Sequence, residues 1–325
     1  MANTINDIKP GFKRQFSDVK VPVFDHIPEM TPYLTEPKAM YVGVPGKNGY
    51  LRLGFELDGE GKSILRDLDR RAPLIVQQEL YFDEEMPGLP CVYILSSGGP
   101  NVDGDRYSQN IHVKKDAMAF VSTGAATKLA VMKYNFSGMV QHIRVDDGGY
   151  LEFLPEPIYP SAHTRFICQT KAEVAETATL VYSEIYMGGR KYYADGELFE
   201  YDILSVETEG CRPEGVPLFR EKFIIEPHKR SVRDLGCMGR FDVFGNVVVM
   251  LPKDKAEEVF AKTQAVNDTS TPLMAGITRL PNDAGLLYKV LGMEPAPVKK
   301  AVRDFCSTVR MAVKGHPIPA EFPWR

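Results

Sequence analysis

The sequence predicts a mainly β protein: a large, mostly antiparallel, multi-stranded β domain of sandwich or stacked-sheet type with a few C-terminal α-helices. Three observations carry the prediction. Short strand-like runs recur at a spacing of roughly ten residues. Turn residues such as Asp146-Asp147-Gly148-Gly149 and Asp195-Gly196 divide them. Helical periodicity comes late, after residue 250, so the strand-helix rhythm of a βαβ fold is missing.

Residues 1–48 carry Pro10, Pro22, Pro28, Pro32, Pro37 and Pro45 with little periodicity, and read as an extended arm ahead of a β domain over 49–325. Tyr50, Arg52, Gly54 and Glu56 then alternate with Leu51, Leu53, Phe55 and Leu57, which makes a half-buried strand. Further strands are expected near 74–82, 91–96, 107–114, 117–122, 139–145, 150–154, 165–170, 178–187, 198–206, 217–225 and 241–251. Those at 107–114 and 117–122 read as a hairpin turned by Lys115-Asp116, with Tyr107, Gln109, Ile111 and Val113 on one face. A helix is expected over 254–263 and a second from Pro281-Asn282-Asp283 through Leu286, Leu287 and Val290. The strongest helical pattern is 297–314, where Val298, Val302, Phe305, Val309 and Ala312 form an apolar stripe and Lys299, Lys300, Arg303 and Arg310 lie outside it. Gly315 and Pro317 end that helix, and the apolar tail Phe322-Pro323-Trp324 either packs on its own core or docks on a partner.

Bulk composition narrows the function. A chain of 325 residues that is 44% hydrophobic buries a sizeable core. A formal charge of −4 argues against a nucleic-acid surface, which needs clustered Lys and Arg. The longer apolar runs, such as 247–251, fall far short of the roughly 20 residues needed to span a bilayer. Cys91, Cys168, Cys211, Cys237 and Cys306 are scattered, with no Cys-x-x-Cys pair, which points to a reduced, cytoplasmic protein. The histidines are nowhere paired as His-x-His or four residues apart, against a tight preformed metal site. There is no Gly-x-Ser-x-Gly elbow and no Walker A loop, so nothing nominates a hydrolase or a nucleotide-binding site.

Three carboxylates stand out. Asn101, Asp103 and Asp105 imitate the opening of a calcium loop, but Arg106 holds the position that needs Gly and His112 the one that needs Glu. In a Gly-flanked turn, Asp105 ordinarily bonds its own backbone. Glu184 sits mid-strand in an apolar segment between Tyr182 and Tyr186, a costly place unless it is paired, with Arg190 the available partner, or lines a wet cavity. Glu221, between Arg220 and Lys222, has a salt bridge as its simplest reading.

Gly104-Asp105-Arg106, the strands after it and Gly124-Ala125-Ala126-Thr127-Lys128 resemble the UreD (UreH) family of urease accessory proteins. Other elements fit in order: Pro73-Leu74-Ile75-Val76-Gln77, Leu151-Glu152-Phe153-Leu154-Pro155, Tyr182-Ser183-Glu184, Gly188-Gly189-Arg190 and Glu221-Lys222. The resemblance implies a non-catalytic accessory protein that helps insert nickel into urease. Its implied partners are UreF, through it the GTPase UreG, and the urease apoprotein. It further implies an internal passage for weakly held nickel, with Asp105 the leading contact, Glu184 and Glu221 wall residues, and Gly104, Arg106, Thr127, Lys128 and Arg190 shaping the wall. Oxygen ligands suit exchange, whereas several imidazoles or thiolates would trap the ion. A docking scaffold without conduction, or an unrecognised β-fold hydrolase, are the alternatives.

Overall fold

The computed structural model describes residues 21–34, 46–268 and 270–324. Its first strands are β1 (Asn48–Leu57), β2 (Ser63–Arg71), β3 (Leu74–Ile75), β4 (Cys91–Ser96), β5 (Arg106–Val113), β6 (Met118–Thr123), β7 (Thr127–Leu129), β8 (Ser137–Val145), β9 (Tyr150–Phe153) and β10 (Ile158–Pro160). They are followed by β11 (Arg165–Val174), β12 (Thr179–Met187), β13 (Gly189–Arg190), β14 (Glu197–Leu198), β15 (Ile203–Cys211), β16 (Pro217–Ile225) and β17 (Val243–Met250). The chain closes with α1 (Lys253–Lys262), β18 (Leu273–Arg279), β19 (Gly285–Gly292) and α2 (Pro295–Lys314).

Two large sheets stack face to face. The first runs β16-β15-β11-β8-β5-β1-β2 and the second β18-β19-β17-β12-β9-β6-β4-β3. The interior of the first is parallel from β1 through β5, β8 and β11 to β15, and β4, β6, β9 and β12 are parallel in the second. The sheets are therefore mixed, and the expectation of a mostly antiparallel domain is corrected. The reason lies in the turns. Lys115-Asp116 does not fold β6 back beside β5 as a hairpin; it carries the chain across to the other sheet, and 146–149 and 175–178 do the same after β8 and β11. Successive strands alternate between layers, so neighbours within a layer point the same way. Stacked turns lock the crossings: Asp116 donates its N–H to the Asp147 carbonyl at 2.9 Å, and Thr179 donates to Gly149 at 2.9 Å. Gly148 has φ +67°, and a Cβ there would lie 2.1 Å from Asp116 Oδ1, so this corner requires glycine.

The alternating strand β1 is as expected, with Leu51, Leu53 and Phe55 fully buried between the sheets. The outer face of the second sheet is covered by α1, α2 and the tail. Phe322 and Trp324 are buried there, with Phe322 edge-on to Phe120 at 4.8 Å, so the tail packs on its own core. On the outer face of the first sheet, Phe24, Ile27 and Met30 pack on Phe136, Ile167 and Ile203. This is the described part of the proline-rich arm; residues 1–20 and 35–45 lie outside the described residues.

Three local expectations change. The segment expected to be helical from Pro281 is a single 3-10 turn, Pro281–Asp283, followed by strand β19. Leu286, Leu287 and Val290 suit either period, and pairing with β17 decides for the strand. Strands β2 and β18 were not expected, and 74–82 is strand only at Leu74–Ile75. Helix α2 ends at Gly315 in the left-handed conformation (φ +81°), as expected, but Arg310 is not outside the apolar stripe: it is fully buried.

Candidate functional site

Parallel stacking brings polar residues into line between the sheets. Gln109 on β5, Gln141 on β8, Thr170 on β11, Thr208 on β15 and Glu221 on β16 are successive register partners across the first sheet. They share the inward face with core residues such as Ile111, Ile143, Ala172, Val206 and Phe223. On the second sheet Glu184 of β12, Asn246 of β17 and Lys289 of β19 are likewise in register. The two rows meet at Glu221, which accepts a hydrogen bond from Asn246 Nδ2 at 3.1 Å and an ion pair from Lys289. A polar seam thus runs through an apolar interior.

Hydrogen bonds connect it. Gln141 Nε2 donates to Gln109 Oε1 at 3.0 Å, and Gln141 Oε1 accepts from Thr170 Oγ1 at 2.8 Å. The Tyr182 hydroxyl lies 2.8 Å from Gln141 Oε1 and 2.9 Å from Glu184 Oε1, and it can donate to one at a time. Tyr186 donates to Glu184 Oε1 at 3.0 Å. Burial pushes the Glu184 carboxyl up to about 7, against hydrogen bonding from Tyr182, Tyr186 and the Asn246 amide, and the nearby Glu221 charge adds to the rise. Glu184 Oε2 and Asn246 Oδ1 are buried with no donor. Adjacent buried oxygens in this condition favour an added positive charge.

The seam leads to a cavity at each end. One, of about 370 Å3, is lined by Tyr107, Gln109, Thr123, Thr127, Lys128 and Met139. The other, of about 500 Å3, is lined by Phe223, Glu226, Phe244, Asn246 and Lys289. Tyr186, Phe223 and Phe244 pack against one another beside the second, with ring centroids 5.0 to 5.7 Å apart.

The residues singled out from sequence fall into two groups. Glu184 and Glu221 lie on the seam. Asp105 is buried at the first end and saturated: Oδ1 accepts the N–H groups of Lys47 at 2.9 Å and Gly46 at 3.3 Å, and Oδ2 accepts from Val102 at 3.0 Å and Tyr107 Oη at 2.9 Å. Lys47 Nζ adds an ion pair at 3.1 Å. Gly104 (φ +75°) makes the turn, and Arg106 clamps the carbonyls of Asp105 and Phe136. Thr127 and Lys128 begin at the cavity wall in β7, paired with β10. Arg190 does not meet Glu184; it makes a two-pronged pair with Glu197 at 2.6 and 2.8 Å. Glu221 pairs with Lys289 across the sheets, while its neighbour Arg220 pairs with Glu207 at 2.7 Å and Lys222 with Glu29 at 2.6 Å.

Two constellations escaped sequence reasoning. Arg310 of α2 binds Glu152 through two nitrogens and Asp83 at 2.6 Å, all three side chains without solvent exposure. The signal available was a carboxylate in the apolar run Tyr150–Leu154. His163, Asp202 and His228, far apart in sequence, converge on the surface with ligand atoms within 4.8 Å of one another. No nucleophile emerges from the buried thiols: burial pushes Cys91 up to about 12, and Cys168 and Cys306 well above their usual range. Among the described residues no helix is long and apolar enough to cross a membrane.

Comparison with known proteins agrees with this framework. Residues 47–325 match the family model described as UreD urease accessory protein. The chain is 47% identical over 296 residues to a urease accessory protein UreD 2 of Brucella suis biovar 1, covering 91% of this chain and 98% of that one. It is 41% identical over 298 residues to a urease accessory protein UreD of Yersinia pseudotuberculosis serotype O:1b, covering 92% of each.

Proposed function

Since the chain belongs to the UreD family of urease accessory proteins, we propose that it serves urease maturation by passing nickel through the seam between its sheets to the urease apoprotein. UreF would dock it to the nickel source, the GTPase UreG, and hydrolysis of GTP would belong to UreG. The observation that carries this reading is the pair of donorless buried oxygens, Glu184 Oε2 and Asn246 Oδ1, on a continuous polar row with a cavity at either end. Amide, hydroxyl and carboxylate oxygens hold a divalent cation loosely enough to hand it on. Glu184 and Glu221 supply negative charge at one end of the row. Asp105 supplies it at the other, where an arriving cation would compete with Lys47.

Nickel content and activity of urease co-expressed with variants of this chain test the proposal. Glu184→Ala and Glu221→Ala are expected to lower activation about tenfold or more, with UreF pull-down unchanged. Asp105→Ala should lower it too, by loosening the turn as well as removing charge. Gln141→Leu keeps the volume and removes the amide, and should also impair activation. Thr208→Phe fills the seam. A scaffold without conduction would tolerate both, and normal nickel loading in Glu184→Ala, Gln141→Leu and Thr208→Phe together would overturn the conduit.

A further inference from the structure

At one end of the first sheet, three neighbouring strands place ligand-type side chains together. His163 precedes β11, Asp202 immediately precedes β15, and His228 follows β16, whose antiparallel end meets the start of β15 at Leu204 and Ile225. The backbone holds them: His163 donates its N–H to the Glu200 carbonyl at 2.8 Å, and Asp202 donates to Thr164 at 2.9 Å. His163 Nδ1 is 3.2 Å and His228 Nε2 3.9 Å from the same oxygen, Asp202 Oδ1. The imidazoles lie nearly parallel, with centroids 6.3 Å apart. Arg165 Nε holds the other oxygen, Oδ2, at 2.7 Å and so aims Oδ1 at the rings.

We propose that His163, Asp202 and His228 form a surface site for a first-row divalent cation such as nickel or zinc, distinct from the seam. Two imidazoles and one carboxylate suit these ions better than magnesium or calcium. Two ligands each about 2 Å from one ion lie at most about 4 Å apart, so half-exposed rings need draw in by less than about 1 Å. Arg165 plays the outer-shell part of fixing the carboxylate, and its charge keeps the site weak. The remaining coordination positions face solvent, because the side chains of His163 and His228 are 62% and 48% exposed. His228 also belongs to the loop whose Glu226, Arg230, Ser231 and Val232 line the second cavity of the seam. A cation held here would wait beside that mouth.

The test is titration of the full chain with nickel chloride by calorimetry, and with cobalt chloride by visible absorption, for wild type, His163→Ala/His228→Ala and Glu184→Gln. The double variant is expected to lose one equivalent of nickel, or to bind it about tenfold or more weakly, and to lose the cobalt band of imidazole ligation. Glu184→Gln should keep both, which separates this site from the seam. If the double variant fails to fold, judged by its circular dichroism, His228→Ala alone is used, since that ring is half exposed and its main hydrogen bond is to one carbonyl. Unchanged stoichiometry, affinity and cobalt spectrum in the folded variant would overturn the site.

Discussion

Glu152 and Glu184 are both buried carboxylates of the second sheet, on opposite faces. Glu152 faces α2 and is matched: Arg310 brings a guanidinium to it with two hydrogen bonds, Tyr150 adds a third, and Asp83 takes the remaining arm. Glu184 faces the first sheet and has two phenol hydroxyls but no cation, with one oxygen left without a donor. The contrast separates two uses of buried charge. A matched pair ties elements together, whereas an unmatched acceptor costs stability, a cost that the proposed cation passage would account for.

Removing the match at the first site should give the largest effect. Arg310→Met leaves two buried carboxylates uncompensated and is expected to cost about 3–5 kcal/mol in urea unfolding. A loss under about 1 kcal/mol would mean that the cluster is wet and that the contrast fails.

Relieving the mismatch at the second site should act in the opposite direction. Glu184 has a folded value of about 7 against 4.5 for an ordinary Glu, so the folded state holds a proton that the unfolded state has released between those values. Stability conferred by the neutral form is complete below about 4.5 and is lost as pH rises through about 7. Glu184→Gln does not titrate. It should therefore be more stable than wild type at pH ~8, by up to about 3 kcal/mol, and the gain should vanish in acid. The same variant should activate urease less, which would mark a site kept for function at the expense of stability. Destabilisation at pH ~8 would show that the carboxylate is structural after all.

A finer probe is Tyr182→Phe. Losing one hydroxyl from the Gln141–Thr170–Glu184 network should cost about 1 kcal/mol. Because that hydroxyl lowers the Glu184 value, its removal should move the pH profile of stability upward. An unmoved profile would assign the lowering to Tyr186 and Asn246.

How much of this was legible follows particular residues. Glu184 could be found from the chain because a carboxylate within an apolar strand is conspicuous wherever the strand ends up. Gln109, Gln141, Thr170 and Thr208 could not. Each is an ordinary polar residue in its own segment, and only pairing through β5, β8, β11, β15 and β16 lines them up with Glu221. Arg310 was misplaced for the same reason: a helical wheel assigns a cation to solvent when its anions lie more than a hundred residues away. His163 and His228 look solitary in sequence and stack in space.

Alternation and turn residues determined that the chain is mainly β, which faces of its strands are buried and where its last helix ends, because those properties depend on side chains within a few residues of one another. Whether a turn such as Lys115-Asp116 makes a hairpin or an arch between layers was decided only by the tertiary structure. A period of two specifies the buried face of a strand but not the neighbour that takes its hydrogen bonds. Parallel stacking, the polar seam and the matched and unmatched carboxylates all follow from that choice.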